Sequence, residues 1–232
     1  MRKVTLSIPV AVLALCLGAA QLPAQSPGSG NFQWYVGGQG GVINFQTIEG
    51  RQTVPDGGAH LLIMGRRTGL LVSVDQGFGS NEQGMYTLQT ISSSNVVVDQ
   101  QLVAVSFTNV RKYSAMLVAQ PIRGPLSPFF GIGVGILHTS GHTPDDSFSK
   151  GVGSAGFGSF VGGLNFQVSR LSAFGQYQIT TSPSEQVVSQ RFADGTRMVA
   201  FGNLLTGPTH TFTAGLRFSL GNARERASGG GY

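Results

Sequence analysis

The stretch Thr209–Gly221 reads THTFTAGLRFSLG. Phe212, Ala214, Leu216, Phe218 and Leu220 are apolar, and Thr213, Gly215, Arg217 and Ser219 between them are polar or lack a side chain. This unbroken period of two makes a β-strand with one greasy and one wet face. In a soluble sheet the phenylalanines would form the core and Arg217 would meet the surrounding water. In a membrane barrel the phenylalanines meet lipid and Arg217 lines the interior. One strand satisfies both arrangements, so the remaining strands decide.

Composition already leans one way. Only 11% of the 232 residues are charged, against about 25% in ordinary soluble proteins. Glycine contributes 35 residues, about 15% against a background of about 7%. An apolar share of 41% is too high for a disordered chain. Before Val4, Arg2 and Lys3 make a positive start. An apolar run to about Ala20 follows, with small-residue cleavage points after Ala20 or Ala24, so residues 1–24 are expected to be a signal peptide. Cys16, the single cysteine, lies inside it, which leaves no thiol for a disulfide or a cysteine metal site after processing. Loss of Arg2 and Lys3 leaves 13 basic and 10 acidic residues, a net charge of +3, scattered without the basic stripe that nucleic acid requires.

Residues 25–31 (QSPGSGN) read as a flexible lead-in to a barrel domain spanning 32–221, and 222–232 as a polar C-terminal tail. Within the domain the alternation picks out eight strands: Phe32–Phe45, Ala59–Arg66, Gly69–Phe78, Leu102–Ile122, Phe129–Thr139, Ala155–Val168, Leu171–Thr181 and the closing strand. Pro55–Gly58, Gly79–Gln100, the Pro144-Asp145-Asp146 segment and Ser182–Pro208 read as long polar loops. RRTG, RGPLSP and Ser169-Arg170 read as tight turns. Alternating long and short connections over an even strand number is the rhythm of an all-β, eight-stranded, antiparallel, up-and-down transmembrane barrel with its short turns in the periplasm. Leu102–Ile122 is long for one crossing. It is expected to rise above the membrane, to bulge near Asn109–Lys112, or to split and give ten strands.

The polar faces support the barrel. Ser73, Asp75, Ser159, Asn165, Gln167, Ser172, Gln176, Gln178, Thr213 and Arg217 oppose the apolar positions. A soluble surface would use more Lys and Glu there, whereas Gln, Ser and Asn suit a narrow interior in which side chains pair with one another. Asp75 and Arg217 are the expected lumen charges, with Arg217 directed at an acid such as Asp75. Trp34, Tyr35, Phe129, Phe130 and Tyr177 are candidates for aromatic girdles.

PLSPFFGIGVGILH (Pro125–His138) and FVGGLNFQVSRLSAFGQYQ (Phe160–Gln178) resemble strands of the small bacterial outer-membrane β-barrel proteins of the OmpA, OmpX and OmpW kind. That resemblance implies residence in the outer membrane, contact with its lipids and lipopolysaccharide, and insertion by the outer-membrane assembly machinery. In such proteins Thr213, Gly215, Phe218 and Leu220 would form the assembly signal, although here the tail from Asn222 follows what is usually a terminal motif. A monomer with no enzymatic activity is implied, serving envelope integrity or surface interaction. A narrow channel for small or hydrophobic solutes is one alternative, and a lipid A deacylase-like barrel is another.

No stretch carries catalytic, cofactor or metal chemistry strongly enough to assign it. GIGVG at Gly131–Gly135 lacks the following helix of a dinucleotide loop, and its alternating glycines instead make room for bulky neighbours in a narrow barrel. His138 and Ser140 fall on one face, but a nucleophilic serine needs a base held by a third group, and no glutamate stands in place. His138, His142, Asp145 and Asp146 have metal-ligand chemistry without a preset geometry. Arg66-Arg67 and Arg111-Lys112 suggest contact with anionic lipid.

Overall fold

The structure is a computed structural model in which residues 32–122 and 124–223 are described. The expected signal peptide and lead-in, and the expected tail from residue 224, lie outside the described residues. Ten strands occupy almost the whole of the rest: β1 (Phe32–Thr47), β2 (Gly50–Met64), β3 (Thr68–Ile91), β4 (Val97–Ala119), β5 (Leu126–Ser140), β6 (Ser154–Val168), β7 (Leu171–Thr180), β8 (Gln186–Arg191), β9 (Arg197–Gly202) and β10 (His210–Ala223). One short helix, α1 (Ser147–Val152), precedes β6. All pairings are antiparallel, in the order β2-β1-β10-β7-β6-β5-β4-β3, and β2 pairs back onto β3. Eight strands therefore close into a ring, which leaves the wall without an edge.

The other two strands are additional to the ring. β3 and β4 stay paired past the barrel, from Glu82↔Phe107 up to Ile91↔Val97. Tyr86–Ile91 of β3 also pairs with β9, which pairs with β8. A four-stranded sheet thus stands on the loop end of the barrel, with β3 rising about 30 Å over the ten residues Glu82–Ile91. The long strand does not split into two crossings. Its irregularity sits on β3, where the register shifts between Phe78 and Glu82 opposite Asn109 and Phe107, rather than on β4 at Asn109–Lys112.

Three of the segments read as polar loops are strands. Pro55–Gly58 lies inside β2, paired with Gln39–Val42. The β1–β2 turn is only Ile48 and Glu49, followed by Gly50 at φ 131°. Pro55, which has no N–H to give, fits because it stands one residue before the β2–β3 pairing begins at Asp56. A side chain at Gly58 would clash with the Val74 carbonyl, so its glycine serves strand contact rather than a turn. Gly79–Gln100 is mostly the upper β3–β4 hairpin, and Ser182–Pro208 holds β8 and β9. Most polar residues of these last two segments face water from the sheet beyond the ring, so composition alone mistook solvated strands for loops.

The outward face of the ring is apolar. Leu117, Phe130, Ile132, Phe160, Phe212, Leu216 and Leu220 are each more than half exposed. Soluble monomers rarely leave such a continuous band to water, and its place on the strands of a closed barrel is that of lipid-facing residues. The inward glycines of β5 behave as their spacing suggests: a Cβ at Gly135 would clash with the Phe157 ring, and one at Gly133 with Met116.

Candidate functional site

The lumen is solid and layered. Toward the turn end, Tyr35, Leu62, Met64, Leu71, Met116, Val118, Phe129 and Val161 form one buried apolar cluster. Toward the loop end a larger cluster includes Ile43, Phe45, Val54, Val110, Leu137 and Phe157 of the ring. It continues upward into Tyr86, Leu88, Val105, Phe107, Phe148, Val152, Ala200, Leu204 and Leu205, so the barrel interior and the protruding sheet share one core. Tyr35 and Phe129 are therefore interior residues, whereas Trp34 and Phe130 face outward. Neighbours in a strand point to opposite sides, so only one member of each aromatic pair can reach a girdle.

Between the two apolar layers lies a polar one. Lys112 is fully buried; its ammonium donates to Gln178 Oε1 and Thr211 Oγ1, each at 2.8 Å, and lies 3.7 Å from Asp75 Oδ2. The Asp75 carboxylate also accepts from Gln39 Nε2 and from Ser73 Oγ at 3.2 Å, and Ser73 bonds Ser114 at 2.7 Å. Asp56 is buried in the electrostatic field of both Asp75 and Lys112. Three other strands, β3, β7 and β10, thus hold the one ammonium that β4 supplies. Taking away any of their contacts would leave a charge poorly paired in the interior.

Arg217 is also buried, but it does not meet Asp75. Its Nε donates to His60 Nε2 at 2.9 Å, and its guanidinium lies over the Phe174 ring at 3.8 Å and near Phe129 at 5.3 Å. The expected Asp75–Arg217 pair is thus replaced by Asp75–Lys112 and Arg217–His60. On β10, Arg217 stands well toward the turn end from Thr211, the member of that strand that serves the polar layer. Around Arg217, the space lined by Tyr35, Leu62, Met64, Gln120, Asn165, Gln167 and Ser172 admits at most a single water.

Lys112 and His60 escaped the sequence reading. The signal was there: Val110, Lys112, Ser114, Met116 and Val118 alternate on β4, all buried. Reading Arg111-Lys112 as a joint basic patch hid it, because adjacent residues face opposite sides and only Arg111 looks outward.

The other candidates disperse. His138 Nδ1 bonds Ser154 Oγ at 2.6 Å, rather than Ser140. The Thr139 hydroxyl donates to the Gly153 carbonyl at 3.1 Å and so accepts from His142 Nε2 at 2.8 Å. Asp145 pairs with Lys150 at the surface, and Asp146 caps α1 by accepting from the Ser149 amide at 2.6 Å. In the closing strand Thr213 is buried, Phe218 and Leu220 are exposed, and a Cβ at Gly215 would clash with the Gly38 carbonyl.

A closed eight-stranded ring with an apolar outer band and a filled interior is an outer-membrane β-barrel of the small class. No family model and no curated protein matches the sequence. Among solved structures, the chain is similar to Neisserial surface protein A, with 8% identity over 80% of this chain and 96% of that one and a TM-score of 0.51. It also matches the outer membrane protein OprG of Pseudomonas aeruginosa (10% identity, 82% and 97% coverage, TM-score 0.42). A third match is Ail, the attachment invasion locus protein of Yersinia pestis (13% identity, 82% and 100% coverage, TM-score 0.35). With Neisserial surface protein A what is shared is the fold alone, the one expected from the sequence motifs.

Proposed function

We propose that the chain is a non-enzymatic outer-membrane protein that works at the cell surface through its protruding sheet, with the barrel as a closed anchor. The observation that carries this reading is the continuous core running from the lumen into the sheet. A pore would need an open axis; here Phe45, Val110 and Leu137 fill the loop end and Lys112 bridges the middle.

The outer face of that sheet supports a role in contact. Leu102, Thr87, Phe201 and Val187 follow one another in register across β4, β3, β9 and β8. Leu102 and Val187 are 72% and 67% exposed beyond the ring, more apolar surface than a solvated sheet needs. A monomer, surrounded by outer-membrane lipid and lipopolysaccharide and inserted by the assembly machinery through Thr213, Gly215, Phe218 and Leu220, completes the proposal.

Planar-bilayer recording tests it directly. The reading expects no discrete conductance from the purified barrel, and well-resolved channel steps would favour the solute-channel alternative. Release of fatty acid from lipid A, abolished by Ser154→Ala or Ser140→Ala, would instead establish an enzyme.

A further inference from the structure

The lipid-facing wall of β3–β6 is crossed near its loop end by an ordered polar row, with Phe78 of β3 outward above it. Gln76, Arg111, His138 and Ser154 are consecutive partners in register across the four strands. All four alternate with buried neighbours and so face outward. Arg111 Nε donates to Gln76 Oε1 at 2.8 Å, its Nη1 lies 3.4 Å from the Tyr113 hydroxyl, and His138 bonds Ser154 at 2.6 Å. The guanidinium is thereby laid along the barrel wall with its other N–H groups left outward.

What lies beneath the row is equally specific. The next row toward the turn end is Val74, Tyr113, Ile136 and Gly156, and the one below it is Val72, Ala115, Val134 and Gly158. Leu70, Leu117, Ile132 and Phe160 follow. Gly156 and Gly158 make a shallow lane beside the Ile136 and Val134 side chains, open at Gly156, where a Cβ would meet nothing closer than Ser184 Oγ at 3.8 Å, and bordered at Gly158 by the Thr181 methyl, 3.3 Å from such a Cβ. Across these three rows no outward side chain is charged, so Arg111 is the first cation met above them on this wall.

We propose that this face is a binding site for a phosphorylated, acylated lipid of the outer leaflet. The phosphate is held by Arg111 with His138 and Ser154 beside it, and an acyl chain lies down the Gly156–Gly158 lane. Arginine is suited to the role because its remaining N–H groups can fork onto phosphate oxygens. A free phosphate would use only the row, whereas a lipid uses the row and the wall together. The site rests on the reading that the loop end is extracellular, but not on the role of the protruding sheet or on the state of the lumen.

Native mass spectrometry of the full barrel released from micelles tests the proposal, with lipid A, its dephosphorylated form and inorganic phosphate as probes. The expected result is a retained lipid A adduct that weakens about tenfold on dephosphorylation and about tenfold in Arg111→Gln, the size expected for a charge-assisted contact. Arg170→Gln, at the opposite end, should leave it unchanged, and the heat-dependent gel shift confirms that each variant is folded. Equal retention by Arg111→Gln would overturn the site. Full displacement by millimolar inorganic phosphate would overturn the lipid as its occupant. Neither result bears on conductance, so this site and the closed-anchor reading fail separately.

Discussion

Replacing Lys112 by methionine tests the lumen most severely, because it nearly keeps the length of the side chain and removes its charge and donors. The ammonium sits 3.7 Å from the Asp75 carboxylate, an attraction of about 4 kcal/mol at an effective dielectric near 20. It also donates to Gln178 and Thr211. Methionine leaves Asp75 ionised in the interior with only Gln39 and Ser73 as donors. Breaking one side of such a buried pair typically costs about 3–5 kcal/mol, and that is the destabilisation expected for Lys112→Met. Asp75→Asn combined with Lys112→Met removes both charges; the carboxamide oxygen can still accept from Gln39, and its NH2 group, in place of the second carboxylate oxygen, can donate to the Ser73 hydroxyl. The double variant should therefore regain most of the loss, short of the whole because Asp56 keeps no nearby cation. Urea unfolding from phosphocholine bilayers, read by the folded and unfolded gel bands, measures both variants against the parent. A single variant within about 1 kcal/mol of the parent, or a double variant no better than the single, would show that the ion pair does not hold the barrel together.

Other expectations follow from the same packing. Gly133→Ala and Gly135→Ala should each destabilise by about 1–3 kcal/mol through overpacking, whereas Gly162→Ala and Gly175→Ala, whose Cβ positions meet nothing within 4 Å, should be neutral or slightly stabilising in the same titration. Trp34, the single tryptophan, faces outward near the turn end, so lipids brominated near the headgroup should quench it more than lipids brominated at the chain terminus; quenching by neither would contradict the belt. In the β5–β6 loop, burial and then the His138 imidazole hold the His142 pKa below its ordinary value. The loop therefore keeps its full stability above about pH 6.5 and loses some as pH falls through that value, levelling off below the depressed native pKa. Amide exchange of Phe148–Val152, corrected for intrinsic rates, should accelerate on acidification and should not do so in His142→Gln.

Much of the ring was legible because alternation is local. Each strand of the ring shows its two faces within a few residues, and the shortage of charge on both faces argues for lipid on one of them. The protruding sheet was not legible from the same signal. Glu82–Ile91, Val97–Thr108, Gln186–Arg191 and Arg197–Gly202 form strands whose outer faces meet water. Leu102–Thr108 falls in the segment that alternation already reads as strand, but the rest has the composition of a loop, and only the pairing of β9 with β3, more than 100 residues apart in the chain, joins them into one sheet. Non-local pairing of this kind leaves no trace in a sliding window.

The lumen shows a second limit, and a sharper one. Alternation separates two faces, yet it names the inside only when one face is polar. On β4, Val110, Met116 and Val118 face inward with Lys112 and Ser114, and Tyr113 and Leu117 face out. Both faces are then partly apolar, and the sign is set by the closure of the ring, which brings Lys112 to Gln178 and Thr211 from across the barrel. Arg217 illustrates the same point from the other side. Its inward direction follows once Thr209–Gly221 is placed in a barrel, but its partner depends on height: His60 and Phe174 meet it at the turn end, and Asp75 meets Lys112 further up. Charge counting in sequence pairs an acid with a base. A layered lumen pairs what shares a layer, and a guanidinium without a carboxylate at its level is held by an imidazole nitrogen and an aromatic face instead.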